Sequence, residues 1–296
     1  MAKPKVIAVV GPTASGKTAL GIFLAHKLNG EVISADSRQI YKGLDAIARV
    51  PSKKERAGIP HHLLQFASPK RLYSAGEFKK AADKIISKLE KDFIIPIVVG
   101  GTGFYADSLL RGLELPEVPP NKTLRAQLAK KTPAQLFAQL TKLDPKTAER
   151  IDKHNPARLV RAIEIAKALG RVPERTYNPA YDVLWLGLKP SQKIHERAIR
   201  TGVVTRLNKM IAEAKKLKSI LSKKHIAALG FELIPLLAYL DNKISKTELT
   251  EQLIRSELGY VKRQMRWFKR RRDIHWVKNK SVALALAREF IRAPRG

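Results

Sequence analysis

Cysteine is absent from this chain of 296 residues. Its absence excludes disulfide bonds, thiolate nucleophiles and zinc or iron–sulfur sites built on cysteine. Long hydrophobic runs are missing too, because no apolar stretch approaches the roughly 18 residues that a membrane-spanning helix needs. We therefore expect no membrane partner, and we predict a cytoplasmic location.

Acidic residues are scarce. Asp and Glu together number 26 against 57 Lys and Arg, which gives a formal net charge of +31. Net charge informs about partners rather than about fold, and the common partner of so basic a chain is a polyanion, most often a nucleic acid. The alternative is a basic solvated surface without such a partner. The apolar fraction of 44% is ample for a globular core.

A glycine-rich loop follows the first predicted strand, Lys5 to Val10, and helical spacing continues from Thr18 to Leu28. The loop matches the pattern G-x-x-x-x-G-K-[ST] at every fixed position, with the residues Gly11, Pro12, Thr13, Ala14, Ser15, Gly16, Lys17 and Thr18. This order predicts a P-loop. Its backbone N–H groups and the helix N-terminus bind phosphate. Lys17 would add a positive charge, and the Thr18 hydroxyl would hold Mg²⁺.

Strands and helices alternate after the P-loop. Segments 31–35, 93–99 and 183–188 predict further strands, and 75–89 predicts an amphipathic helix. The alternation predicts an α/β fold, a P-loop NTPase-like parallel sheet with helices wound on both faces. Ligands of such sheets bind at the carboxyl ends of the strands. Asp36 and Thr102 lie at such ends, so we expect both near the P-loop.

The middle of the chain has a different pattern. Pro116 to Pro120 reads as a boundary, and residues 124–169 are helical in pattern with breaks near Pro133 and Pro145. We therefore predict a core of residues 1–118 and 182–296, which includes the C-terminal helices. Residues 119–181 would form a helical insertion domain.

Asp36 is the carboxylate best placed for catalysis. A P-loop alone suggests an ATP-binding or other nucleotide-binding enzyme, in which an acid after an apolar strand holds Mg²⁺ through water. The strand at 94–99 ends in Gly100-Gly101 and offers no acid, whereas the segment 31–36 ends in Asp36. The alternative is that Asp36 only caps a helix.

Several blocks beyond the P-loop carry a resemblance to a known family. They are Ser34-Ala35-Asp36-Ser37-Arg38-Gln39-Ile40-Tyr41, Gly58–Leu63, Tyr73–Phe78, Val98–Tyr105, Asn155–Glu164, Leu229–Glu232 and Lys262–Lys269. Any one block is weak evidence, but the combination spans nearly the whole chain. With these blocks the sequence resembles the tRNA dimethylallyltransferases, which are also called tRNA isopentenyltransferases.

The resemblance implies a reaction. The family transfers a dimethylallyl group from dimethylallyl diphosphate to N6 of the adenosine on the 3′ side of a tRNA anticodon, and diphosphate is released. The P-loop would hold the donor diphosphate, with Mg²⁺ as cofactor. Lys17 would stabilise the charge of the leaving group, and Asp36 would be the general base. Thr102 would contact the transferring phosphate or the adenine and help to align Asp36; the alternative is that it only caps the glycine loop.

The resemblance also implies a surface for the anticodon stem-loop. Its residues here would be Asp36, Ser37, Arg38, Gln39, Thr102, Arg158, Leu159, Val160, Arg161, Ala162, Arg263, Gln264 and Trp267. The segment 260–276 interleaves aromatic with basic residues, which suits exposed bases and phosphates. The alternatives are a solvated basic face at 158–161 and a core helix with a basic outer face at 260–276. The insertion would clasp the anticodon stem, and the protein would act as a monomer.

Three places depart from the family pattern. Ala48 and Val50 stand where the family carries Thr and Lys, and Glu257-Leu258 stand where it often carries Thr-Arg. Gly202 stands where the family carries an arginine that meets the diphosphate. Neighbouring arginines that would substitute are Arg49, Arg197 and Arg200.

Three alternatives to a tRNA-modifying enzyme stay open at this point. The first is an isopentenyltransferase that acts on free adenine nucleotides, although the basic charge argues against it. The second is a P-loop ATPase or kinase. The third is a divergent, low-activity homologue that binds tRNA, which the departures at Gly202 and Val50 keep open.

Overall fold

The computed structural model describes residues 3–294, and within them six strands form one sheet. The strands are β1 (Lys5–Val10), β2 (Gly30–Ser34), β3 (His61–His62), β4 (Ile95–Gly100), β5 (Asp182–Gly187) and β6 (Ile274–Trp276). Their order is β3-β2-β4-β1-β5-β6, and every neighbouring pair is parallel. The carboxyl ends of the strands therefore meet at one edge of the sheet.

Helices connect the strands and continue beyond them. They are α1 (Lys17–Leu28), α2 (Lys53–Arg56), α3 (Ala75–Lys91), α4 (Gly103–Leu110), α5 (Lys122–Leu128), α6 (Pro133–Leu143), α7 (Pro145–Arg150), α8 (Pro156–Leu169), α9 (Gln192–Ile220), α10 (Lys223–Leu229), α11 (Leu233–Leu240), α12 (Lys246–Phe268) and α13 (Lys280–Arg292). No helix among residues 3–294 is long and apolar enough to cross a membrane.

The central strand β1 is buried on both faces, which explains its unbroken run of apolar residues. Ala8 faces a core cluster that contains Phe78 of α3 and Leu109 of α4. Its neighbour Val9 faces a second cluster, which contains Leu24 of α1 and residues of α13. Helices thus cover both faces of a parallel sheet, and the predicted α/β fold is confirmed.

The sheet extends to a strand that the sequence did not predict. The segment predicted at 183–188 is β5, which pairs with β1 from Lys5↔Asp182 to Val10↔Gly187. We expected helices in the C-terminal part of the core, but residues 274–276 form β6 at the edge of the sheet beside β5. Only Ile274 of this strand is buried. Three residues are too few to show the alternation by which strands are recognised.

Residues Leu113–Asn178 form a compact helical unit of their own. Its core contains Leu128, Leu136, Leu140 and Leu159 of helices α5, α6 and α8. The predicted insertion, 119–181, starts later because we placed the boundary at the proline-rich segment. In the structure the Glu114 N–H donates to the Thr176 carbonyl at 3.0 Å, which closes the unit before those prolines.

The helices from α9 to α12 share a separate apolar cluster. It includes Val203, Leu236 and Leu253, together with Ile40 and Leu44 from the turns that follow β2. The segment 40–48 is therefore held between the sheet and the C-terminal helices. This packing brings residues of α9 and α12 to the carboxyl end of β2, where Asp36 lies.

Candidate active site

The P-loop joins β1 to α1 with a backbone shaped to bind an anion. Ala14 and Gly16 have left-handed φ angles of 57° and 88°, and such turns direct N–H groups into a concave nest. A Cβ on Gly11 would lie 2.8 Å from the Leu188 carbonyl oxygen, so this position requires glycine. Gly16, the N-cap of α1, provides no side-chain cap, and the buried Ser15 hydroxyl has no partner among the described residues. These groups are available to phosphate oxygens.

Lys17 supplies a positive charge to the same loop. Its ammonium donates a hydrogen bond to the Pro12 carbonyl at 3.0 Å. Burial lowers the pKa of Lys17 to about 8, opposed by the charge of Asp36 and assisted by the charges of Arg49 and Arg38. A bound anion would stabilise the charged form, so phosphate binding and protonation of Lys17 favour each other.

Asp36 lies just beyond the end of β2 and is buried. Its Oδ1 accepts hydrogen bonds from the N–H groups of Arg38 at 3.0 Å and Gln39 at 3.4 Å. Its Oδ2 has no hydrogen-bond partner within residues 3–294, and Asp36 lines a pocket with the P-loop. One oxygen of Asp36 thus caps a turn, and the catalytic role of the residue stays a prediction.

The pocket at the P-loop has a volume of about 150 Å³. Its walls come from the P-loop, from the turns after β2, and from two buried acids on the C-terminal helices. The lining residues are Thr13, Ala14, Ser15, Gly16, Lys17, Thr18, Asp36, Arg38, Gln39, Ile47, Ala48, Arg49, Glu232 and Glu257.

Thr102 acts on the segment that carries Asp36. Its hydroxyl oxygen accepts a hydrogen bond from the Ser37 N–H at 3.1 Å and donates to the Ser37 hydroxyl at 3.3 Å. The Thr102 N–H donates to the Ala35 carbonyl at 3.3 Å. Thr102 is not among the residues that line the pocket. Its contacts fit the predicted alignment of Asp36 rather than contact with phosphate.

Arg38 is held inside the protein. Its guanidinium pairs with Glu232 and lies over the rings of Phe231 and Tyr260, 4.6 and 4.4 Å from their centroids. Burial raises the pKa of Glu232, and the charge of Arg38 opposes that rise. We expected Arg38 to reach RNA, but the structure commits its guanidinium to these protein groups and leaves its side chain only 11% exposed.

Gln39 forms hydrogen bonds with two residues of the pocket wall. Its amide nitrogen donates to the carbonyls of Ala48 at 3.3 Å and Arg49 at 3.0 Å, and its amide oxygen accepts from the Ser34 hydroxyl at 3.1 Å. The side chain therefore ties the end of β2 to the segment that precedes α2.

Gln264 and Trp267 of α12 make contacts within the protein. The Gln264 side chain is buried, accepts from the Thr13 N–H at 2.9 Å and donates to the Gly101 carbonyl at 2.9 Å. The Trp267 indole N–H donates to Asp107 at 2.9 Å. Direct RNA contact by the Gln264 side chain is excluded by its burial. Its amide instead links the P-loop to the loop after β4.

Arg263, on the same helix, is exposed. Its guanidinium lies 5.6 Å from the ring centroids of both Phe231 and Tyr260. Of the predicted RNA-binding residues on α12, Arg263 is the one with a side chain open to solvent and a positive charge.

The predicted RNA-binding stretch on α8 divides into exposed and buried positions. Arg158 is exposed, and Arg161 is half-buried with Glu164 at 3.4 Å. Val160 is partly buried against the core of the helical unit. The side chains of Leu159 and Ala162 lie inside that core, so contact between them and RNA is excluded by burial. Helix α8 thus carries arginines on its exposed side and apolar residues on the side that packs into the helical unit.

The positions that depart from the family pattern have clear surroundings. Ala48 is buried and lines the pocket, while Val50 and Leu258 are partly buried against the cluster of C-terminal helices. Gly202 lies in α9, directly against the guanidinium of Arg49.

Glu232 and Glu257 line the pocket, and the sequence analysis gave neither a role. A signal was present for Glu257. It falls on the buried face of α12 between Leu253 and Gln264, and a carboxylate on such a face needs a partner.

Known proteins resemble this chain in sequence over most of its length. Residues 39–271 match the sequence model of the IPP transferase family. The tRNA dimethylallyltransferase of Anoxybacillus flavithermus is 35% identical over 280 residues, which cover 92% of this chain and 89% of that protein. The tRNA dimethylallyltransferase of Pediococcus pentosaceus is 36% identical over 279 residues, 92% of this chain and 90% of that protein.

Solved structures agree as well. The crystal structure of the full-length tRNA isopentenylpyrophosphate transferase from Bacillus halodurans matches with a TM-score of 0.73 and 30% identity. The match covers 98% of this chain and 96% of that one. A P-loop, a buried carboxylate beside it and a sequence match over most of the chain point the same way, and the chain belongs to the IPP transferase family.

Proposed function

We propose that this protein transfers a dimethylallyl group from dimethylallyl diphosphate to N6 of the adenosine on the 3′ side of a tRNA anticodon, with release of diphosphate. The observation that carries the proposal is that the P-loop and Asp36 line one pocket. Relatives over most of the chain are named tRNA dimethylallyltransferases, which supports the same reaction.

The P-loop end of the pocket suits the diphosphate of the donor. Backbone N–H groups, the free Ser15 hydroxyl and Lys17 can all stabilise phosphate oxygens. The Thr18 hydroxyl and the Asp36 carboxylate are hard oxygen donors on the same pocket, and Mg²⁺ commonly binds one or two such ligands plus substrate phosphates. Thr18 would hold the ion, which would neutralise part of the diphosphate charge.

The Asp36 end suits the acceptor. The N6 amine attacks the allylic carbon of the donor, a C–N bond forms, and the bond from that carbon to the diphosphate oxygen breaks. The proton lost by N6 passes to Oδ2 of Asp36. A positioned base contributes on the order of 10²–10⁴ in rate to such a step. Thr102 and the two N–H groups on Oδ1 orient the carboxylate.

The acceptor base must leave its stack before it can enter a pocket of this kind. The exposed Arg263, together with the net charge of +31, suits the phosphates of an anticodon loop. A tRNA substrate agrees with the predicted cytoplasmic location. That location and the monomeric state stay predictions.

The direct test is prenyl transfer by the purified protein. The protein is incubated with Mg²⁺, dimethylallyl diphosphate and unmodified tRNA, and the nucleosides are analysed by mass spectrometry. We expect N6-dimethylallyladenosine at the position 3′ of the anticodon. The same nucleoside should be missing from tRNA of cells in which the gene is deleted.

Three other outcomes would contradict the proposal. Prenylation of AMP in preference to tRNA would identify an adenine-nucleotide isopentenyltransferase. ATP hydrolysis without a prenyl donor, and without transfer when the donor is added, would identify an NTPase. tRNA binding with no transfer would identify a low-activity RNA-binding homologue.

A further inference from the structure

Arg49 has an unusual backbone conformation, which hydrogen bonds from Gln39 stabilise. Its φ of 53° lies in the left-handed region, which residues other than glycine rarely adopt. The Gln39 amide bonds the Arg49 carbonyl at 3.0 Å and the neighbouring Ala48 carbonyl at 3.3 Å. These bonds hold the segment so that the Arg49 side chain enters the pocket.

A buried carboxylate then orients the guanidinium. Glu257 of α12 pairs with Arg49 through one oxygen, and its other oxygen accepts from Arg206 at 3.0 Å. Arg206 also donates to the Ala46 carbonyl through Nη1, while its buried Nε has no partner among the described residues. One negative charge faces two positive ones, so the cluster keeps a net positive charge. Arg49 and Glu257 are its members that line the pocket.

Gly202 leaves the space that the guanidinium occupies. A Cβ at position 202 would lie 2.6 Å from Nη1 of Arg49 and 3.1 Å from its Nη2. The first separation is too short for any side chain to be tolerated without movement of the guanidinium. Glycine inside a long helix such as α9 lowers helix stability, so its presence here needs a local reason, and the Arg49 guanidinium supplies one.

The position of Arg49 beside the P-loop indicates which part of the substrate its guanidinium would contact. Arg49 and Lys17 line the same pocket of about 150 Å³, and the charge of Arg49 helps to lower the pKa of Lys17. The other neighbouring arginines, Arg197 and Arg200, are exposed on α9 and do not line the pocket.

We propose that Arg49 is a ligand of the donor diphosphate, oriented by Glu257 and Gln39 and given its space by Gly202. A guanidinium offers paired N–H donors that match two phosphate oxygens, which a lysine cannot reproduce. The inference rests on the proposed function, since it names a further residue for the donor of that reaction.

Binding of inorganic pyrophosphate, measured by calorimetry with Mg²⁺, tests the inference without the need for turnover. Arg49→Ala is expected to weaken binding roughly 10- to 100-fold, and the KM for dimethylallyl diphosphate should rise in parallel. Arg49→Lys should fall between this variant and the wild type. Arg200→Ala removes an arginine of α9 that pairs with Glu251 at the surface, and it should bind pyrophosphate as the wild type does.

Gly202→Ala gives a second test that leaves Arg49 in place. The added methyl group should displace the guanidinium and weaken pyrophosphate binding in the wild type. In the Arg49→Ala background the same change should have no effect, because no guanidinium is there to displace. Melting temperatures establish that each variant is folded, and tRNA affinity should be unchanged in all of them.

The outcomes separate this inference from the proposed function. If the wild type binds pyrophosphate and Arg49→Ala binds it equally well, the inference is wrong and the proposed function stands. An equal effect of Gly202→Ala in both backgrounds would also contradict it. If the wild type neither binds pyrophosphate nor transfers the prenyl group, the proposed function itself has failed.

Discussion

At the scale of single residues, the site depends on two charges with different constraints. The Asp36 carboxylate is oriented by backbone N–H groups on one oxygen, while its other oxygen stays available. The Lys17 ammonium is removed from water, which lowers its pKa to about 8. Under the proposed function the first charge takes a proton, and the second gains most from a bound anion.

Replacement of Asp36 should separate its two roles. Both Asp36→Ala and Asp36→Asn remove the base, so single-turnover prenyl transfer should fall by roughly 10²–10⁴, while tRNA affinity stays nearly intact. Asn can still accept the two N–H groups, so only the Ala variant should lose about 1 kcal/mol of unfolding free energy. A wild-type single-turnover rate in either variant would show that Asp36 is not the base.

The pKa of Lys17 predicts the pH dependence of donor use. Lys17 is charged below its pKa of about 8 and neutral above it, and only the charged form attracts diphosphate. We expect kcat/KM for the donor to fall as the pH rises through this value. Lys17→Arg stays charged in that range, so its profile should be lower but should lack this fall. Equal donor kcat/KM at pH 7 and at about pH 9.5 in the wild type would contradict the prediction.

At the scale of elements, α12 is the support of the P-loop. Gln264 joins Thr13 to Gly101, and Trp267 packs against Gly103 so closely that a Cβ there would overlap the indole. The glycines after β4 thus let a helix from the C-terminal region approach two loops at once. This packing of α12 against the two loops explains why Gln264 is buried and Trp267 is partly buried.

Two glycine substitutions test this packing in opposite directions. Gly101→Ala would place a Cβ into the Gln264 amide, so we expect a loss of about 1–3 kcal/mol in unfolding free energy. Gly259→Ala lies inside α12, and its Cβ would be 3.5 Å from the Arg263 guanidinium, an ordinary contact. That variant should gain about 0.5–1 kcal/mol. Urea unfolding measures both, and a stable Gly101→Ala protein would contradict the close approach.

At the scale of the whole molecule, some of the 26 acids are used inside the protein. Four of them are buried or half-buried and bonded to arginines or backbone N–H groups, namely Glu164, Glu213, Glu232 and Glu257. The 57 Lys and Arg outnumber the acids, and most of their side chains are exposed. Such a surface attracts a polyanion over a long range.

The charge predicts how tRNA binding responds to salt. Each neutralised phosphate releases counterions, so affinity should fall at least about tenfold between roughly 50 and 200 mM salt. Fluorescence anisotropy with a labelled anticodon stem-loop measures the slope, and a neutral osmolyte at equal osmolality controls for hydration. A flat response to salt would contradict binding through phosphates.

The contacts of Arg49 and Gln264 could not be predicted from the sequence. The P-loop and Asp36 were recognisable because their pattern is local: a strand, a turn and a helix within a few tens of residues. The role of Gln264 was not, because its partners, Thr13 and Gly101, are far away in the chain. The sequence marked 260–276 as basic and aromatic, but it did not show which side chains α12 turns inward.

The sequence by itself determined the parallel sheet, the phosphate-binding loop, the acid beside it and the basic charge, because each follows from short-range pattern or composition. Only the tertiary structure decided which charges meet. Arg38 pairs with Glu232, and Arg49 enters the pocket where Gly202 leaves room. These pairings depend on how α9 and α12 pack on the turns after β2, and such long-range contacts leave no periodic signal in the chain.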